Sequence, residues 1–139
     1  MPRARASAEL LAAPADVWRF LAEPYHLADW WPNLASVEPD RRGLAPGARW
    51  RVRTAEPTLL RRAQAEDTLL VTRVDPERLL AFELVRARQA AALELEPAGP
   101  GHTRARLEVS GPLLLAFSRS LPKAALARLQ DLVRTAETV

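Results

Sequence analysis

The sequence lacks several residues that common kinds of site require. Its 139 residues include no cysteine, which excludes disulfide bonds, thiolate nucleophiles and cysteine-based zinc sites. The two histidines, His26 and His102, lie far apart in the chain and argue against a histidine-rich metal site. No apolar run approaches the length of a membrane span, and no apolar signal core follows Arg3 and Arg5. We therefore expect a cytoplasmic protein without stable membrane insertion, metal or cofactor.

Lysine, asparagine and methionine occur once each, as Lys123, Asn33 and Met1. Arginine supplies almost all of the positive charge behind the net charge of +3, and twelve prolines accompany it. This profile is typical of a thermophile or of a GC-rich genome, and composition does not separate the two. With 48% hydrophobic and 27% charged residues, the chain has an ordinary globular balance. Its length fits one domain over residues 1–139.

The first third predicts one strand and two short helices. Residues 3–12 alternate between polar and small apolar side chains, which is typical of a half-buried strand. Pro14 suits the first position of a helix, and the spacing of Val17, Phe20 and Leu21 gives that helix one apolar face. A second short helix follows before the next Trp-Pro step.

A basic stripe lies on the clearest strand. After a glycine-containing turn, residues 48–54 alternate between apolar side chains and Arg49, Arg51 and Arg53. A nucleic-acid site needs a concentrated basic patch with interleaved aromatics on the same face. Here the interleaved residues point to the opposite face. We therefore expect a solvated, salt-bridged outer face and no nucleic-acid partner.

The next hairpin brings a carboxylate toward the interior. Residues 62–74 predict a strand, and the turn 75–78 leads into the inward row of Leu80, Phe82 and Leu84. Pairing residue 71 with 82 places Asp67 and Arg73 on the inward face. A buried carboxylate without a partner is costly, so Asp67 is the candidate for an acid/base or ligand-orienting group. The alternative, which we favour, is that a bulge reverses the strand or that Asp67 lies at an open rim.

The last hairpin has a register that two patterns support. Pairing residue 93 with 107 and 95 with 105 places the following side chains on one face: Leu93, Leu95, Ala105 and Leu107. The same pairing sets two glutamates opposite two arginines on the other face: Glu94, Glu96, Arg104 and Arg106. Because a slip of one residue would reverse every side chain, this agreement fixes the predicted register.

The C-terminal region predicts a long helix after Gly111-Pro112, with Pro122 kinking or interrupting it near the middle. Its apolar stripe comprises Leu114, Phe117, Leu121, Ala125, Leu129 and Leu132. The element order is a strand, two short helices, about six strands and one long helix. This order indicates an α+β fold in which a curved antiparallel sheet of about six to seven strands wraps around the last helix.

Residues 11–21, Leu-Ala-Ala-Pro-Ala-Asp-Val-Trp-Arg-Phe-Leu, resemble the opening of START-like (SRPBCC) domains. That group includes polyketide cyclase/dehydrase proteins and birch-pollen-allergen relatives. Its tryptophan before a proline is matched by residues 30–32, its glycine turn by residues 43–47, and its long final helix is present too. The resemblance implies a single helix-grip domain with a deep hydrophobic pocket for lipids, sterols or polyketides.

The resemblance and the inward phase of the strands together give a candidate ligand-binding set. It comprises Trp30, Trp31, Trp50, Phe82, Leu93, Leu95, Leu107, Phe117 and Leu121. The two adjacent tryptophans are interpreted either as an aromatic lid or as core anchors. Ordinary core packing is the alternative for the other positions.

The leading functional hypothesis is binding or transport of a small hydrophobic ligand, such as a lipid, isoprenoid or polyketide-like molecule, without catalysis. The first alternative is a polyketide cyclase/aromatase-like enzyme that folds its substrate in the same cavity, with Asp67 as its acid/base group. The second is a protein-interaction module that exposes an apolar patch and holds no ligand. His26 and His102 are expected at the surface, and the sequence leaves the oligomeric state open.

Overall fold

The computed structural model describes residues 3–58, 61–112 and 119–137, with side chains for all of these except 55–58, 61–65 and 135–137. The helices are α1 (Pro14–Leu21), a short 3-10 helix (Pro24–His26), α2 (Leu27–Trp30) and α3 (Leu121–Glu137). The strands are β1 (Arg3–Leu10), β2 (Leu34–Glu38), β3 (Arg49–Thr58), β4 (Arg61–Asp75), β5 (Leu79–Leu84), β6 (Gln89–Pro97) and β7 (Thr103–Ser110).

The seven strands form one antiparallel sheet in the order β1-β7-β6-β5-β4-β3-β2. The helix α3 packs on β1 and β7 and also contacts α2. One face of the sheet is therefore covered, and the other faces water, as antiparallel sheets allow. The predicted α+β class with a sheet wrapped around a C-terminal helix is confirmed.

The register predicted for the last hairpin is confirmed. Leu93 pairs with Leu107 and Leu95 with Ala105 across β6 and β7. All four side chains are buried. On the outer face, Glu96 Oε1 lies 3.2 Å from Arg104 Nη1 and 3.4 Å from Arg106 Nη2.

The register of the β4–β5 hairpin is confirmed in its interior and wrong near its turn. Val71 pairs with Phe82 as predicted, but Asp75 pairs with Leu79, and a bulge between positions 71 and 73 absorbs the extra residue. The cause is a three-residue connection with Glu77 at φ +67°. Because the bulge reverses the strand there, Arg73 is exposed and does not face the interior.

Pro122, predicted to kink or interrupt the last helix near its middle, lies close to the start of the described helix, and residues 113–118 lie outside the described part of the chain. The helix α3 begins at Leu121, so Pro122 occupies its first turn, where a missing backbone N–H costs nothing. Leu121, Ala125 and Leu129 of the predicted stripe are buried. Leu114 and Phe117 lie outside the described residues.

The arginine stripe lies on the outer face of β3, as expected, in ion pairs with neighbouring strands. Arg51 Nη1 is 3.6 Å from Glu38 Oε2 of β2, and Arg53 Nη2 is 3.8 Å from Glu66 Oε1 of β4. Exposed pairs of this kind contribute about 0–1 kcal/mol each. The strand β2 itself was not located from the sequence, although it buries Leu34.

Polar contacts join the start and end of the chain. The fully buried Thr103 donates its hydroxyl to the carbonyl oxygen of Ala12 at 2.7 Å. Gln130 Nε2 of α3 donates to the carbonyl oxygen of Glu9 at 2.9 Å, on the edge strand β1. These contacts fix the turn from β1 into α1 beneath α3. Within the described residues, no helix has the length and apolarity needed to cross a membrane.

Candidate functional site

The candidate site is a small apolar void between the sheet and the short helices. Its volume is about 10 Å³, which is roughly the room that one water molecule requires. This void is far smaller than the deep hydrophobic pocket that the resemblance implies. The residues that line it are Leu21, Leu27, Trp30, Leu44, Trp50, Leu69, Val71, Leu80 and Phe82. None of the described side chains that line it is charged, so the binding energy of this site comes mainly from apolar contact and shape.

An aromatic cluster forms one wall of this void. Trp31 contacts Trp30 edge to face, with ring centroids 5.6 Å apart, and Phe82 in the same manner at 5.1 Å. Such geometry places the positive edge of one ring against the negative face of the next. Both tryptophans are at most 2% exposed. They are therefore core anchors in this state, and neither forms an exposed lid.

The opposite wall is tied to the loop between β2 and β3, residues 39–48. The indole N–H of Trp50 donates to the carbonyl oxygen of Gly43 at 2.9 Å. This bond holds the loop against the void, and Leu44, the next residue, lines it. Gly43 has φ +61°, a conformation that side chains with a Cβ rarely adopt.

The predicted ligand-binding set divides between two parts of one core. Trp30, Trp50 and Phe82 line the void, and Trp31 packs behind them. Four other predicted residues are buried in the core but do not line it: Leu93, Leu95, Leu107 and Leu121. The last member, Phe117, lies outside the described residues.

Sequence reasoning missed six lining residues: Leu21, Leu27, Leu44, Leu69, Val71 and Leu80. Of these, Leu44 carried a usable signal, because it is a large apolar residue inside a loop of glycine, proline and charged residues. Such a residue has no strand or helix to bury it, so its packing must come from the loop folding inward.

Asp67 lies on the inward face that the register predicted, next to the turn between β5 and β6, and each of its carboxylate oxygens accepts at least one backbone N–H. Oδ1 accepts the N–H groups of Thr68 and Arg86 at 2.7 Å each, and Oδ2 accepts that of Ala87 at 3.0 Å. The side chain is buried at 8% exposure and does not line the void. Asp67 therefore braces the turn between β5 and β6 against β4.

The two histidines are half-buried at the periphery. His26 stacks on Phe20 with ring centroids 4.1 Å apart, and its Nδ1 is 2.8 Å from the Phe20 carbonyl oxygen. His102 Nδ1 lies 3.0 Å from the Glu9 carboxylate. Neither lines the void. Among the residues with described positions, no three His, Asp or Glu side chains form a group that could hold a metal ion.

One carboxylate at the base of the β2–β3 loop has a shifted pKa. Asp40 accepts the backbone N–H of Arg49 at 3.0 Å and that of Arg42 at 2.9 Å. The Arg49 N–H above all, helped by the backbone N–H groups of Arg42 and Gly43, lowers the pKa of Asp40 from its ordinary value. The ionised carboxylate thus joins both ends of this loop.

These features define a class: an α+β domain whose antiparallel sheet and helices enclose an apolar interior. The sequence model of the family described as "Polyketide cyclase / dehydrase and lipid transport" matches residues 1–137, and the chain belongs to that family. No curated protein sequence matches the chain significantly.

Solved structures share the fold at low sequence identity. Protein NE0264 from Nitrosomonas europaea is 19% identical with a TM-score of 0.71, covering 99% of this chain and 97% of that one. TTHA0849 from Thermus thermophilus is 18% identical with a TM-score of 0.71, over 97% and 99% of the two chains. Ara h 8.0201 is 12% identical with a TM-score of 0.69, over 96% and 98%. At such identities the likeness establishes the fold alone.

Proposed function

We propose that this protein binds a small hydrophobic ligand, of lipid, isoprenoid or polyketide-like character, between the sheet and the short helices, without catalysing a reaction. The observation that carries the proposal is the lining of the void, whose nine described residues all have aliphatic or aromatic side chains. An apolar ligand buried against such walls gains about 25 cal/mol per Å² of surface removed from water. The family description, which includes lipid transport, supports the same class of ligand.

The present volume of about 10 Å³ means that a ligand must displace side chains. Apolar walls around an empty space lose dispersion contacts, and water gains little by filling it, so side chains that are free to move into the space gain contacts by doing so. We therefore propose an interior that is contracted without ligand and expands when a ligand shifts the population of conformers. The rings of Trp50 and Phe82, together with Leu44, are the walls that would move.

The contacts of Asp67 support binding over the cyclase alternative. An acid/base group needs a proton-accepting oxygen within reach of the substrate. Both oxygens of Asp67 accept backbone N–H groups, and the side chain lies outside the void lining. Its role in this proposal is structural.

A titration with N-phenylnaphthylamine, an uncharged apolar dye, tests the proposal. We expect saturable fluorescence enhancement and loss of binding by about tenfold in Leu80→Phe, which fills the void. The matched control is Leu79→Phe, because Leu79 is the neighbouring residue on the outer face of β5. Native mass spectrometry before and after organic extraction should show one apolar molecule per chain being removed. Equal affinity in both variants, or no saturable binding to the wild type, would refute the proposal.

A further inference from the structure

The β2–β3 loop bears on how a ligand reaches the interior of the protein. Of the nine described lining residues, eight are buried, and Leu44 alone is half-exposed. Among the described lining residues, Leu44 is therefore where the wall between the void and solvent is thinnest. A ligand that passes there displaces one loop side chain and leaves the sheet ladder intact.

The two halves of this loop are attached very differently. The second half is bonded into the sheet, since the Gly47 N–H donates to the Val71 carbonyl at 2.8 Å and the Val71 N–H donates to that of Ala48 at 2.9 Å. Beyond the bonds within the loop itself, one hydrogen bond attaches residues 41–44 to the rest of the described protein, from the Trp50 indole to Gly43. The segment 41–44 is thus the part of this wall that opens at the lowest cost.

The base of the loop supplies fixed points on either side of that segment. Asp40 joins residues 42 and 49 through its two carboxylate oxygens. Gly43, inside the segment, and Gly47, which follows it and is bonded to the sheet, have φ values of +61° and +87°, which residues with a Cβ rarely adopt. Hinges of this kind absorb the dihedral changes of a loop motion.

We propose that residues 41–44 are the gate through which apolar ligands reach and leave the interior, with the Leu44 side chain as its plug. The proposal rests on the proposed function, since a gate needs a ligand to admit. The indole of Trp50 couples the two events: its ring lines the void while its N–H holds the gate closed. A ligand that displaces this ring also breaks the bond to Gly43.

Stopped-flow mixing with N-phenylnaphthylamine measures the gate directly. In Leu44→Ala, uptake should accelerate by about fivefold or more because the plug is removed, and any change in equilibrium affinity should appear as a separate change in the release rate. The matched control is Leu80→Ala, which removes the same atoms from the same void at a buried position. It should change the affinity and leave the uptake rate within about twofold.

A second variant lies outside the void and covers the case in which Leu44→Ala does not fold. Asp40→Ala removes the acceptor at the exposed base of the loop, and uptake should accelerate by about threefold with little change in affinity. If Leu44→Ala and Asp40→Ala both take up dye at the wild-type rate, the gate proposal is wrong, while the proposed function stands. Absence of saturable dye binding to the wild type would instead overturn the proposed function on which the gate depends.

Discussion

Two halves of one core are covered in different ways. Over β1 and β7, the long helix α3 lies on the sheet, and the buried hydrophobic side chains are aliphatic. Over β3, β4 and β5, the cover consists of short helices and the β2–β3 loop, and the side chains include Trp30, Trp50 and Phe82. We call these the aliphatic half and the aromatic half.

This difference separates the part of the core that stabilises the fold from the part that can rearrange. A 17-residue helix packs a continuous stripe onto its strands, so opening there would disrupt many contacts together. In the aromatic half, the aromatic rings and the β2–β3 loop enclose a void of about 10 Å³, and one of the described residues that line it, Leu44, is half-exposed. The aliphatic half therefore accounts for stability, and the aromatic half is the place for binding.

The largest expected effect comes from truncating the aliphatic half. Leu107→Ala, at a site that is 1% exposed, should lower the free energy of unfolding by about 2–5 kcal/mol. Its dye affinity should remain within about twofold of wild type, because the cavity forms away from the aromatic half. Urea denaturation and dye titration measure the two quantities. A change in affinity as large as that of Leu80→Ala would erase the distinction between the halves.

Removing the Asp67 carboxylate, which braces the turn between β5 and β6, is expected to lower the free energy of unfolding by less than Leu107→Ala does. In Asp67→Asn the charge is lost and an amide N–H₂ faces a backbone donor, so the free energy of unfolding should fall by about 1.5–3 kcal/mol. Dye binding should be unchanged. The cyclase alternative predicts the opposite result: a stable protein whose reaction with a polyketide substrate is lost.

Removing the buried hydroxyl of Thr103, in the aliphatic half, is expected to lower the free energy of unfolding by a smaller amount. Thr103→Val leaves the Ala12 carbonyl oxygen without its partner and should cost about 1–2 kcal/mol in urea denaturation. The control is Thr72→Val, at an exposed position in the β4 bulge, which should cost less than about 0.5 kcal/mol. Equal losses in the two variants would mean that the bond to Ala12 contributes nothing.

The smallest effect is pH-dependent and concerns the loop of the aromatic half. Because the folded pKa of Asp40 is lowered, its stabilising contribution is complete above the unfolded pKa and is lost as pH falls through the folded pKa. The urea midpoint of the wild type should therefore fall more steeply with acidification than that of Asp40→Asn, over about pH 5 to 2. Parallel curves for the two proteins would show that the carboxylate does not hold the loop.

The sequence predicted the fold where independent patterns agreed. The β6–β7 register was correct because apolar alternation and opposed charges gave the same pairing, Leu93 with Leu107. At the β4–β5 turn only one pattern was available, and the three-residue connection shifted the pairing, which exposed Arg73. Helix periodicity does not fix where a helix begins, so it did not indicate that Pro122 lies in the first turn of the described helix.

The site was only partly predictable, because a void depends on how side chains fill space. Alternation placed Trp50 and Phe82 correctly on the inward face. It placed Leu95 there equally well, and nothing in residue type distinguishes a void wall from a packed core. Leu44 belongs to a loop without periodicity. Its apolar character indicates inward packing, but the part of the core that it contacts is known only from the structure, in which Trp50 bonds to the neighbouring Gly43.

The most direct measurement is a methyl NMR titration of the leucine and valine side chains with N-phenylnaphthylamine. The account predicts saturable shifts at methyl groups that line the void, led by Leu27, Leu69 and Leu80, with little change at Leu107 and Leu129 of the aliphatic half. Shifts that are largest in the aliphatic half or on the outer face of the sheet, or that do not saturate, would contradict it.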